Sequence, residues 1–107
     1  MNSFVGTMTY MAPEVILAKR SWTAVTYTSQ ADMWSLGCVL YSLLFGSPAF
    51  EAENSEGLEE IILEGQFRMG GPQWEACSKE ARDLVALLLE ADATLRLTAR
   101  EALRHPW

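Results

Sequence analysis

A chain of 107 residues, half of it hydrophobic and 21% charged, has the composition of one ordinary soluble globular domain at most. Its formal charge of −6 argues against a nucleic-acid surface, which needs a basic stripe. Two cysteines, Cys38 and Cys77, do not make a disulfide framework and fit a reducing compartment, and the single histidine, His105, is too little to complete a zinc site with them. No signal peptide or bilayer-length apolar run is visible, so a cytoplasmic or nuclear protein is expected, with neither membrane nor nucleic acid as partner.

Residues 1–10 mix small, polar and apolar side chains without a sustained period and read as loop. Ala12-Pro13-Glu14 opens a short helix, with Pro13 near the first turn, where a missing N–H costs little; its end is expected near Leu17 or Ala18. The next residues, up to Thr28, could hold a brief strand but read better as a connecting loop with aromatic anchors at Trp22 and Tyr27. Residues 29–46, SQADMWSLGCVLYSLLFG, are the stretch the rest is organised around. Apolar side chains occur on nearly every side of it, and a helix without a water-preferring face belongs inside something. Ser29 can cap its first turn, the Asp32 charge suits a helix N-terminus, and Gly46 suits a left-handed stop. This predicts a buried central helix with shorter ones around it.

Residues 47–54 form a turn carrying Phe50, after which Ser55 can cap a helix running to Glu64 with Leu58, Ile61 and Ile62 on one face and Gly65 as its stop. Residues 66–77, with Gly70-Gly71-Pro72 and Trp74, read as a loop held by aromatics. Ser78 caps the next helix, Lys79 to about Glu90, whose Ala81, Leu84, Val85 and Leu88 follow i, i+3, i+4, i+7. Thr98-Ala99-Arg100-Glu101 has capping-box spacing and starts a last short helix to about Arg104. Five helices without a confident strand predict an all-α domain. The six glutamates from Glu51 to Glu64 read as a solvated face more readily than as a docking face for a basic partner.

The order of four short motifs carries a resemblance. Gly6-Thr7-Met8-Thr9-Tyr10-Met11-Ala12-Pro13-Glu14 resembles the G-T-x-x-Y-x-A-P-E end of a protein kinase activation segment. Asp32-Met33-Trp34-Ser35-Leu36-Gly37 is similar to the D-x-W-S-x-G that begins a kinase's central C-lobe helix, and Gly46-Ser47-Pro48-Ala49-Phe50 to the G-x-P-P-F turn after it. Asp92 to Thr98 with Ala102-Leu103-Arg104-His105-Pro106-Trp107 resembles the D-P-x-x-R-x-T … A-L-x-H-P-W ending. Met8 and Ala49 stand where prolines are usual, and Ala93 replaces the proline of D-P. Together the motifs span almost the whole chain and resemble the C-lobe of a Ser/Thr protein kinase of the calmodulin-dependent kinase group. Phosphorylase kinase catalytic subunits and checkpoint-type kinases are the most similar, through the Gly65-Gln66-Phe67 to Trp74 stretch and the Arg104-His105-Pro106-Trp107 ending.

The resemblance implies that residues 1–107 are a partial kinase domain, the helical C-lobe portion from the end of the activation segment to the last C-lobe helix, without N-lobe or catalytic loop. Phosphoryl transfer needs groups that hold ATP and magnesium and a carboxylate that orients the attacking hydroxyl. Kinases draw these from a Gly-rich loop, a strand lysine, H-R-D-x-x-x-x-N and D-F-G, and none of these occurs here. No cofactor is therefore expected in this chain; ATP and magnesium are expected only of a full-length kinase, and no catalytic residue is assigned.

What the resemblance does imply is docking and scaffolding. Thr7 would bond the catalytic aspartate and lysine of an intact kinase and mark Ser/Thr specificity, unless it only satisfies its own loop backbone. Phe4, Met8 and Met11 would form the apolar shelf for the substrate residue after the phosphorylated one, or else simply anchor the loop. Ser3 lies where many such kinases carry an activating phosphate, whose arginine partner would come from the catalytic loop. Glu14 and Arg96 would be the buried ion pair tying the activation segment to the last helices. Asp32, Trp34 and Gly37 would be core anchors, though without a catalytic loop Asp32 becomes a helix N-terminal charge in water or an unsatisfied group. Ser42 stands where basophilic members carry a carboxylate, which weakens any arginine-directed specificity. The apolar central helix expects a helix on its far side, which predicts exposed apolar surface. The leading expectation is thus the C-terminal part of a Ser/Thr kinase, partnered by protein or peptide substrates and by the kinase's N-terminal portion. The alternative is a catalytically dead interaction module using the peptide-docking surface.

Overall fold

The computed structural model describes residues 11–21, 28–65, 67 and 69–107. Among them six α-helices follow in order: α1 (Pro13–Arg20), α2 (Ser29–Phe45), α3 (Ser55–Glu64), α4 (Pro72–Ala76), α5 (Lys79–Leu88) and α6 (Ala99–Leu103), with no strand among the described residues. The all-α class is as expected. No helix among the described residues is long and apolar enough to cross a membrane.

Local chemistry sets the helix ends. Pro13 is the first residue of α1, which continues past Ala18 to Arg20 because Lys19 and Arg20 are good helix formers that also complement the negative C-terminal end. Two caps fall one residue earlier than expected. Thr28, not Ser29, caps α2 by accepting the Ala31 N–H at 3.3 Å, while the Ser29 hydroxyl donates to Gln30 Oε1. Asn54, not Ser55, caps α3 by accepting the Gly57 N–H at 2.7 Å. In both pairs two adjacent side chains have capping chemistry, and the one already in extended backbone takes the role. Gly46 closes α2 at φ +73°, a left-handed conformation that glycine reaches without Cβ strain. The expected loop at residues 66–77 contains α4, started by Pro72 at its first position behind a positive-φ Gly71. Ser78 caps α5 through the Ala81 N–H, and Thr98 with Glu101 forms the full reciprocal capping box of α6. The Thr98 N–H, then the Thr98 hydroxyl, hold the Glu101 carboxyl below the usual carboxylate range.

The core forms along one side of α2. Trp34, Cys38 and Tyr41 meet Val85 of α5 and Leu89 just after it, Leu58 and Ile62 of α3, and Val15 and Ile16 of α1. Trp34 stacks on Phe50 with centroids 5.3 Å apart, and Phe67 joins Phe50 to Tyr41 and Trp74 by edge and tilted contacts. Each such pair adds about 0.5–1.5 kcal/mol beyond its area. Gly37 lets α2 and α5 approach closely: a Cβ there would lie 2.8 Å from Leu88 Cβ and 3.0 Å from Leu89 Cδ2. The opposite side of α2 is only partly covered. Leu36, Val39 and Leu43, spaced i, i+3, i+7, are 48%, 43% and 78% exposed.

Candidate functional site

The turn after α5 delivers the one fully buried charge of the described residues. Asp92 folds it: its carboxylate accepts the Thr94 hydroxyl at 2.6 Å and the Thr94 N–H at 2.9 Å, and its carbonyl accepts the Leu95 and Arg96 N–H groups. The Thr94 hydroxyl, then its backbone N–H, hold the Asp92 carboxyl below its ordinary range. The turn aims the Arg96 side chain, 0% exposed, back under the molecule.

There the guanidinium meets Glu14 as a two-pronged fork, Nη1 to Oε2 at 2.8 Å and Nη2 to Oε1 at 2.9 Å. Nη1 also donates to the Gln30 carbonyl, Nε to the Glu90 carbonyl at 2.8 Å, and Nη2 to the Ala91 carbonyl at 3.3 Å. Five bonds use all five guanidinium hydrogens. The guanidinium carbon lies 5.1 Å from the Trp34 ring centroid, so one cation joins α1, the first turn of α2 and the segment after α5. Glu14 is 30% exposed, so water solvates part of the carboxylate while the arginine is entirely enclosed.

The expected site residues separate into three groups. Glu14, Arg96 and Trp34 meet at this joint, and Gly37 sits one turn further along α2 at the close approach to α5. Asp32 does not act as a core anchor: it is exposed in the first turn of α2, where water and the helix N-terminus satisfy its charge. Met11 is half-buried and packs on the core just ahead of Ala12 and Pro13. Ser3, Phe4, Thr7 and Met8 lie outside the described residues, as do Trp22 and Tyr27.

Sequence reasoning missed Arg20. Its Nε and Nη2 reach Glu59 at 2.8 Å and Glu60 at 2.9 Å, clasping α1 to α3 and neutralising part of the glutamate-rich segment. Hydrogen bonds to Glu59 and then Glu60 raise its already high pKa. A basic residue at the end of one helix was visible, but nothing in the spacing showed which carboxylates it would meet. Burial, partly offset by Arg96, pushes the Cys38 thiol up to about 12. Among the described residues no cluster of three His, Cys, Asp or Glu side chains could hold a metal ion.

The protein kinase domain family matches residues 1–107. This chain belongs to that family. It is 36% identical over 107 residues to the liver/testis phosphorylase b kinase gamma catalytic chain of Rattus norvegicus, covering 100% of this chain and 26% of that one. Over 103 residues it is 44% identical to calcium-dependent protein kinase 10 of Oryza sativa subsp. japonica, covering 96% of this chain and 16% of that one. Serine/threonine-protein kinase H1 of Homo sapiens is 41% identical, covering 100% of this chain and 24% of that one. The crystal structure of the Rad53 kinase domain and SCD2 in complex with AMPPNP matches with a TM-score of 0.79 and 39% identity, over 94% of this chain and 38% of that chain. The chain thus spans about a quarter or less of these curated relatives, and its helices correspond to the helical C-lobe part of the kinase fold. The resemblance to Ser/Thr kinases stands on these relatives as well as on the motifs.

Proposed function

We propose that these residues provide the substrate-docking and scaffolding part of a Ser/Thr protein kinase C-lobe, in an enzyme that transfers phosphate from ATP to protein substrates. Support comes from the Glu14–Arg96 joint, which fastens the Ala12-Pro13-Glu14 segment to the turn before the last helix. A docking loop leading into that segment would inherit a rigid foot, with Met11 as its apolar base. Groups that bind ATP and magnesium are not among the 107 residues, so the chain by itself docks substrate without phosphorylating it. The exposed Leu36–Val39–Leu43 side of α2 favours a covering apolar helix over water, and in this reading the rest of a kinase domain supplies it.

Two measurements on the purified chain test this. Incubation with ATP, magnesium and a serine-containing peptide should give no phosphopeptide; robust turnover would contradict the division of labour. Adding the same peptide without nucleotide should shift the amide resonances of Met11 and Ala12 saturably. Spectra unchanged at millimolar peptide would remove the docking role.

A further inference from the structure

The end of α6 carries a small polar relay beside an apolar groove. Leu36 and Leu40 of α2, Leu84 and Leu88 of α5, and Leu103 of α6 line this groove of ≈430 Å³, and Trp107 forms part of its wall. His105 connects the two features. Its Nε2 lies 2.8 Å from Asp83 Oδ2 on α5, and its Nδ1 lies 3.1 Å from the Trp107 backbone nitrogen. An ionised carboxylate only accepts, so Nε2 carries a hydrogen. A backbone amide only donates, so Nδ1 is bare and accepts the Trp107 N–H. The two partners together therefore select the neutral imidazole with its hydrogen on Nε2.

Adding a proton acts on the two bonds in opposite directions. The bond to Asp83 becomes charge-assisted on both sides and tightens. Nδ1 becomes a donor facing a donor, and the bond to Trp107 is lost. Besides Asp83, the charged side chains of α5 are Lys79, Glu80 and Arg82, and Arg104 precedes the ring in sequence. Arg100 and Glu101 are the other charges of α6, and the Glu101 carboxylate is already engaged by the Thr98 N–H at 3.0 Å.

We infer that His105 is a proton-operated latch: neutral, it straps Trp107 to the wall of the apolar groove; protonated, it keeps Asp83 and lets Trp107 go. The groove then opens on the side that Trp107 occupied. This rests on the relay alone and does not depend on the kinase reading.

Nuclear magnetic resonance on the labelled 107-residue chain, followed across the range where imidazoles titrate (about pH 5–8), tests it. At high pH the ring should show the tautomer with hydrogen on Nε2. The Trp107 backbone amide and the Leu103 methyl resonances should move with the same midpoint as the ring. In His105→Ala the pH-dependent shift of the Trp107 amide should be lost, with the peak at its low-pH position throughout. A ring carrying its hydrogen on Nδ1 at high pH, or a Trp107 amide that ignores the ring's titration, overturns the latch, and both are read on the unmodified chain even should a variant fail to fold.

Discussion

Helix α2 has two apolar sides with very different surroundings. On one, Trp34, Cys38 and Tyr41 are almost completely enclosed; on the other, Leu36, Val39 and Leu43 face outward. The difference does not lie in hydrophobicity, since the outward residues are at least as greasy. It lies in what the other helices can reach: α1, α3 and α5 converge on the Trp34 side, where Arg96 also arrives, and nothing among the described residues covers the Leu43 side. Apolar surface stabilises a fold only where something takes it from water. The enclosed side therefore carries this chain's stability, and the open side adds little to it.

The largest expected effect breaks the enclosed side at its charge. Replacing Arg96 with Met leaves the Glu14 carboxylate and the Gln30, Glu90 and Ala91 carbonyls without their donor. Breaking a buried pair in this way costs about 3–5 kcal/mol, a large part of a small domain's stability, and urea denaturation should show it. Next comes a chemical contrast on the same side. With its thiol pushed from 9.0 to about 12, Cys38 stays protonated in the folded chain while the unfolded chain ionises. Its contribution is thus complete below about pH 9 and declines as pH rises towards 12, so the melting temperature should fall across that window, and Cys38→Ala should flatten the fall. Native-state alkylation near neutral pH should spare Cys38 and label the half-exposed Cys77.

A smaller effect probes the helix contact. Gly37→Ala places a methyl 2.8 Å from Leu88 Cβ, an atom too near its backbone to swing away, and should cost about 1–3 kcal/mol in thermal or urea denaturation. The smallest is expected on the open side: Leu43→Glu should change stability by less than about 0.5 kcal/mol while reducing self-association in light scattering. A stability loss comparable to that of Gly37→Ala would mean the two sides are not distinct.

Much of this was legible in the residues. The central helix, the capping box at Thr98 and the helical period of α5 follow from local chemistry, and the A-P-E and D-x-W-S-x-G motifs pointed to the family now shown. Other features depended on distance in three dimensions. Thr28 against Ser29 and Asn54 against Ser55 differ by one residue of equal chemistry, and only the backbone angle at each decides which caps. Helix α4 is too short for a period to show, leaving Pro72 as its sole signal. Asp32 looks like an anchor by motif but is exposed, because the partner that the motif implies is not among the described residues. That α2 would be open on one side was expected. Which side was not, because a helix apolar all round gives no direction.

The most direct test is a double-mutant cycle on Glu14→Gln and Arg96→Lys, mild changes that keep size while removing one charge or the guanidinium fork. A joint built as described predicts a coupling energy above about 1 kcal/mol between two residues 82 positions apart in sequence. Effects that simply add, within about 0.3–0.5 kcal/mol, would contradict the account that this joint holds the Ala12-Pro13-Glu14 segment on the helical core.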